Sequence, residues 1–313
     1  MKRILLASPR GYCAGVERAV DSVEVALDLW GPPVYVRKQI VHNIHVVREL
    51  EERGAIFVES EEEVPAGATV VFSAHGVSPS VHANADRRGL RTIDATCPLV
   101  TKVHSEARHY AAQGYTILLI GHAGHEEVEG TMGEAPDAIV LVESREDAER
   151  LDVRADKLAY ITQTTLSVDE TSEIVEALRR RFPTIEAPKK EDICYATTNR
   201  QRAVKAMLAE IDLLLVIGSR NSSNSNRLVE VARAGGIAAH LIDDESEIDE
   251  TWVDAAETIG ITSGASAPES LVRRVLAWFR ERGIEDVRVY NEELEDVVFK
   301  LPVEVRRGVP GAR

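Results

Sequence analysis

A chain of 313 residues with 44% hydrophobic content can bury a sizeable core, which excludes intrinsic disorder and a small disulfide scaffold. Its 37 Lys and Arg stand against 52 Asp and Glu, for a formal net charge of −15. A surface that acidic repels phosphate backbones, so no nucleic-acid partner is expected, and an anionic ligand needs local dipoles and neutral donors.

In chain order, Lys2-Arg3 is followed only by Ile4 to Ala7 before Ser8-Pro9-Arg10, too short a run for a signal-peptide core. The densest apolar stretch, Leu213 to Ile217, falls far short of the roughly 20 residues of a membrane span. A cytoplasmic protein with no membrane partner is expected, in which the three cysteines stay thiols unless they hold a metal or do catalysis.

One pattern then runs three times. After Cys13, the residues Val16, Val20, Val23, Leu27 and Trp30 form a helical face that Gly31-Pro32-Pro33 stops. Val34 to Ile40 reads as a strand ending at His42-Asn43, and Ala55 to Val58 as a second running into acidic Glu59 to Glu63. A third ends at Ser73-Ala74-His75. Cys97, followed by Pro98 in a first helical turn, opens a helix through Val100, Val103, Ala107 and Tyr110. Strands Tyr115 to Ile120 and Ala138 to Val142 follow, with the polar loop His122 to Glu127 between them. A third strand ends at Thr162 to Thr165, and a helix spans Val168 to Phe182. Beyond Cys194 come a helical face through Val204, Met207, Leu208 and Ile211, strand Leu213 to Ile217, and the loop Asn221 to Asn224. Strand Ala238 to Ile242, the acidic run Asp243 to Glu250, a strand ending at Ser263 to Ser266, and helix Pro268 to Arg282 complete the third pass.

Strands alternating with helices at this rhythm predict parallel sheets with right-handed crossovers. The expected fold class is α/β, with three pseudo-symmetric units of about 90 residues each. The units are drawn at 1–96 (joined by 283–313), 97–193 and 194–282. Ligands of such sheets sit beyond the carboxyl ends of the strands, where the cysteines, most histidines and the hydroxyl clusters fall.

An isolated Cys is most often a buried small hydrophobe, but three in equivalent strand-to-helix turns argue for chemistry. A helix N-terminus favours the thiolate, the form that binds metal. Zinc would want a fourth protein ligand for a closed site, whereas three cysteines on a 4Fe-4S cluster leave one iron open. Spacing alone does not choose between iron and zinc. Among nine histidines, His104, His109 and His82 read as helical and His240 as structural, while His42, His75 and His125 occupy strand-end loops. With Thr164, Thr165, Ser222, Ser223, Asn224 and Ser266 they make a set of neutral donors suited to phosphate oxygens, although some of these residues cap helices in any fold. Glu127, read in a loop with His125 and Thr131 where burial would raise its pKa, is the best candidate acid, although Glu126 and Glu129 stand nearby and sequence physics by itself does not rank the three. Neither a P-loop nor a GxGxxG fingerprint is present.

Several of these stretches resemble the 4-hydroxy-3-methylbut-2-enyl diphosphate reductase family. They are Gly11 to Val16, Ala95 to Pro98, Gly130 to Gly133, Thr162 to Leu166, Asp192 to Arg200, Asn221 to Leu228, Ser263 to Pro268 and Val297 to Pro302. The resemblance runs from about residue 4 to about residue 305. It implies a three-lobed fold around one 4Fe-4S cluster per chain held by Cys13, Cys97 and Cys194, in an enzyme of the methylerythritol phosphate route. It further implies that His42, His75, His125, Thr164, Ser222, Ser223, Asn224 and Ser266 contact the substrate, mostly its diphosphate, and that Glu127 donates protons. The implied reaction is a two-electron reductive dehydroxylation giving isopentenyl and dimethylallyl diphosphates, with a flavodoxin or ferredoxin as electron donor. Where the family often has proline between the loop histidine and the acid, this chain has Glu126, which either perturbs Glu127 or faces solvent. Two other readings are a phosphometabolite-binding module with structural zinc and an iron–sulfur hydro-lyase that needs no reductant.

Overall fold

The computed structural model describes residues 2–290 and 295–306. In chain order its elements are β1 (Arg3–Ala7), α1 (Ala14–Trp30), β2 (Val34–Arg37), α2 (Ile44–Glu52), β3 (Ala55–Val58), β4 (Thr69–Phe72), α3 (Pro79–Arg87), β5 (Arg91–Asp94) and α4 (Pro98–Ala112). Next come β6 (Thr116–Ile120), α5 (Glu126–Met132), β7 (Ile139–Val142), α6 (Arg145–Arg150), β8 (Leu158–Thr162), α7 (Val168–Arg181) and α8 (Tyr195–Met207). The remainder are β9 (Leu213–Ile217), α9 (Ser223–Ala234), β10 (Ala238–Ile242), α10 (Glu250–Asp254), β11 (Thr258–Ser263), α11 (Glu269–Glu281), β12 (Asp286–Tyr290) and α12 (Val303–Arg306). No helix among the described residues is long and apolar enough to cross a membrane.

The strands form three sheets, and every strand pair in them is parallel, as the alternation predicts. The chain divides into two compact units. One comprises Met1–Val16, His42–Val46 and Tyr195–Val298, and the other Glu17–Val41, Val47–Cys194 and Phe299–Arg313.

The first unit is built on a five-stranded sheet in the order β10-β9-β11-β1-β12. All five residues of β9, Leu213 to Ile217, are buried, as a central parallel strand covered on both faces requires. One face packs on α11, whose Leu271, Val272, Val275, Leu276 and Phe279 recur at helical spacing and join Ile4, Leu6 and Ile261 in one cluster. The other face packs on α8 and α9 through Val204, Met207, Leu228 and Ala232. Each fully buried side chain of this size contributes about 1.5–3 kcal/mol. The sheet differs from the boundaries drawn from sequence. Residues 3–7, expected with 1–96, pair with β11 on one side and β12 on the other. Residues 4–7 of β1 are buried, so the strand needs neighbours on both edges and cover on both faces, and this sheet supplies them. Of the expected C-terminal segment 283–313, residues 286–290 form the edge strand β12, and residues 291–294 and 307–313 lie outside the described residues.

The second unit holds a four-stranded sheet, β3-β2-β4-β5, and a three-stranded sheet, β7-β6-β8. Val70, Phe72 and Val77 centre the core of the former. Leu118 and Ile120 face α7 in the latter, while Ile117 and Leu119 face α4 and α5, the alternation a doubly covered strand demands. The strand expected over 34–40 ends at Arg37, because Lys38 adopts a left-handed φ of 54° that breaks the extended run.

Candidate functional site

In the first unit, Cys13 lies between β1 and α1, and its N–H donates to Ala265 O (3.2 Å), so the thiol loop is sewn to the loop after β11. Gly11 has a φ of 73°, a conformation that favours glycine, and its N–H donates to Ser263 Oγ (2.8 Å). Its carbonyl accepts from Arg200 Nη2 (2.8 Å), a guanidinium with no exposed surface, which also bonds Ala196 O and Glu295. Two of the expected anion donors, Ser266 and His42, meet on the same strand ends. Ser266 Oγ donates to His42 O (2.9 Å), and the Asn221 amide lies 3.3 Å from His42 Nδ1.

Ser222 and Asn224, read as loop residues, sit at the start of α9. Ser222 is its N-cap, and Asn224 bridges Thr197 Oγ1 and Ala265 N. Sequence reading missed Ser225. Its hydroxyl lies where a Cβ at Gly218 or Gly264 would stand, so glycine at both strand ends lets α9 approach the sheet.

In the second unit, Cys97 is the N-cap of α4 with Pro98 in the first turn, and its N–H donates to Ala74 O (3.0 Å). The next residue after Ala74 is His75. The loop continues to Gly76, φ 79°, where a Cβ would come within 2.9 Å of His104 Cε1. His104, expected to have a solvent or packing role, packs there and pairs with Glu134 (2.8 Å). Cys194 sits before α8, and its N–H donates to Thr164 O (3.0 Å). The carboxylate of Asp192 is buried, bonded to Thr162 N (2.8 Å) and Lys102 Nζ (2.5 Å), and pins this loop to β8. Gln163 donates to Thr165 Oγ1 (2.9 Å).

Glu127 is not in a loop. It lies in the first turn of α5, whose N-cap is His125, with Nδ1 accepting from Glu127 N (3.1 Å). The short helix is invisible to periodicity because seven residues hold barely two turns. The Glu127 side chain is buried, and Oε1 and Oε2 accept from Thr164 N (2.6 Å) and Thr164 Oγ1 (2.9 Å). Burial raises its pKa from 4.5 to about 7, the Thr164 bonds opposing the rise and the charge of Asp192 adding to it. Glu126 neither faces Glu127 nor stands free in solvent: Oε2 lies 3.2 Å from His75 Nδ1. Burial and the Lys38 ammonium lower the pKa of His75 to about 4.

The chemistry of the donor set fits an iron–sulfur centre. All three cysteines are unpaired in disulfides and partly exposed, and each immediately precedes a helix, where a soft thiolate is favoured. Parallel sheets with thiols, neutral hydrogen-bonding groups and buried acids at their strand ends are the equipment of an α/β enzyme acting on an anionic substrate. The comparisons with known proteins agree. The family model described as LytB protein matches residues 4–280. The chain is 64% identical to the 4-hydroxy-3-methylbut-2-enyl diphosphate reductase of Acidothermus cellulolyticus over 98% of this chain and 91% of that one. It is 60% identical to the Streptomyces coelicolor protein of the same name, at the same coverage. Among solved structures, the E-1-hydroxy-2-methyl-but-2-enyl-4-diphosphate reductase of Plasmodium falciparum superposes with a TM-score of 0.95 at 39% identity, covering 98% of this chain and 97% of that one. The chain belongs to the LytB family, a family of iron–sulfur enzymes.

Proposed function

We propose that this protein reduces 4-hydroxy-3-methylbut-2-enyl diphosphate to isopentenyl and dimethylallyl diphosphates, as the names of its relatives and its buried acid together support. The allylic C–O bond breaks and a C–H bond forms. Two electrons and two protons are consumed and the oxygen leaves as water. Cys13, Cys97 and Cys194 would hold one 4Fe-4S cluster. When bound, such a centre supplies a Lewis-acidic open iron and the route for electrons.

The chain's own residues supply the rest. His42, His75, His125, Thr165, Ser222, Ser223, Asn224 and Ser266 bind the diphosphate as dipoles and imidazoles, which suits a chain of net charge −15. Glu127 Oε1 accepts a backbone N–H and so stays an acceptor, which leaves its proton on Oε2 against the Thr164 hydroxyl. That hydroxyl can accept from Glu127 while donating onward, so Thr164 passes the proton that Glu127 holds. A ferredoxin or flavodoxin supplies the electrons, in a cytoplasmic setting where thiols persist.

The observation that carries this reading is a carboxyl poised near pH 7 by Thr164 beside the Cys194 loop. Anaerobic purification with iron, zinc and sulfide analysis, followed by turnover with a chemical reductant, tests it. Iron and sulfide near about four each, with both products formed only when reductant is present, are expected. Zinc without sulfide, or no product from fully loaded protein, overturns it.

A further inference from the structure

Glu126, which pairs with His75, has no role in the reaction as given above. Both side chains are shielded, 14% of His75 and 16% of Glu126 being exposed. His75 Nδ1 faces both Glu126 Oε2 (3.2 Å) and Ser73 Oγ (3.3 Å); a carboxylate only accepts and a hydroxyl oxygen can accept beside it, so the neutral ring carries its proton on Nδ1 and its Nε2 is an acceptor. His125 is set the opposite way. Its Nδ1 accepts from Glu127 N, so its neutral ring carries the proton on Nε2. The two rings meet edge to face, 5.8 Å apart. His125 is therefore ready to donate to an anion, whereas His75 must first gain a proton.

We propose that Glu126 is a positioning residue for diphosphate recognition: it orients His75 through Nδ1–H and stabilises the imidazolium formed when the diphosphate arrives. The inference rests on the assignment of His75 to the diphosphate. One proton from solvent is added at Nε2, which changes from acceptor to donor, and no covalent bond of the substrate is altered. Groups facing His75 in this unit include Glu126, the Ser73 hydroxyl, the Lys38 ammonium and, across the ring contact, His125. Lys38 opposes ring protonation and is itself paired with Glu129 (3.2 Å), in the same first turn of α5 as Glu126.

The sign of the effect distinguishes this role from mere proximity. A bystander carboxylate beside a diphosphate repels it, so its removal tightens binding. A carboxylate that supports the imidazolium strengthens binding, so its removal weakens it. Glu126 is the first residue of α5, where proline is tolerated, so Glu126→Pro removes the carboxylate and keeps the helix.

The test uses the cluster-loaded protein. It measures KM and kcat with the substrate, the Kd of inorganic pyrophosphate, and proton uptake on pyrophosphate binding in two buffers of different ionisation enthalpy. Wild-type protein takes up about one proton per pyrophosphate near pH 7. Glu126→Gln and Glu126→Pro lose most of that uptake and raise KM and the pyrophosphate Kd about tenfold, with kcat moving less, while Glu126→Asp restores part of both. Equal or tighter pyrophosphate binding by Glu126→Gln, or unaltered proton uptake, overturns the inference. Loaded wild-type protein that makes no product overturns the functional reading instead, whatever Glu126 does.

Discussion

Thr164 grips the carboxylate of Glu127 at both oxygens, through its backbone N–H at 2.6 Å and its hydroxyl at 2.9 Å, and its own carbonyl accepts from the N–H of Cys194. A single residue in the loop that follows β8 thus ties the candidate acid to a candidate cluster ligand. Burial alone would keep Glu127 protonated, and the two donors bring it back to about 7, where it can both hold and release a proton.

Thr164→Val removes the hydroxyl and leaves the backbone donor. The proton relay is broken, so kcat falls; the charged form of Glu127 also loses a partner, its pKa rises further, and in the activity that remains the alkaline fall of kcat/KM moves up by about one pH unit. Thr164→Ser holds the limb in place. A profile that does not move in Thr164→Val would show that the limiting proton belongs to another group.

Glu127→Gln should abolish turnover while raising stability at alkaline pH. The folded pKa of about 7 lies above the ordinary 4.5, so between these values the folded chain binds more protons than the unfolded chain. Stability therefore falls as pH rises through that window, by on the order of 3 kcal/mol once pH exceeds 7. The amide carries no such cost. Denaturant midpoints of variant and wild type should lie close together at pH 5 and separate in favour of the variant at pH 8. A separation that does not grow with pH would contradict the burial account.

Arg200→Met leaves the Gly11 carbonyl and the Glu295 carboxylate without their buried partner, and should destabilise the fold by about 3–5 kcal/mol. Arg200→Lys should fail to restore it, since an ammonium cannot span the carbonyls of Gly11 and Ala196 and a carboxylate from one planar fork. Because Gly11 stands two residues before Cys13, retained iron should fall along with the denaturant midpoint. Full iron occupancy in a destabilised variant would separate the two effects.

Serine at Cys13, Cys97 or Cys194 should each remove iron and sulfide together, while far-UV circular dichroism stays native-like, because all three thiols are partly exposed. A variant that keeps a full cluster would strike that residue from the ligand set.

Much of this molecule was legible in order along the chain. Strands such as Leu213 to Ile217 announce themselves because a parallel strand buried on both faces must be continuously apolar. The cysteines stand out because each immediately precedes a helix, and Pro98 marks one of those starts. The seven-residue α5 was not legible, nor was the placement of Ser223 and Asn224 inside α9, since polar first turns look like loops until a cap is seen.

The alternation of strands and helices, the polar strand ends and the residue types gathered there are written along the chain, because periodicity and turn chemistry are local properties. That β1 runs between β11 and β12, and that Glu126 engages His75 while Glu127 turns to Thr164, emerges only on packing. Adjacent carboxylates in one helical turn point about 100° apart, so their partners come from different segments distant in sequence. Which of the two is desolvated and which is paired follows from those partners, and no local pattern encodes it.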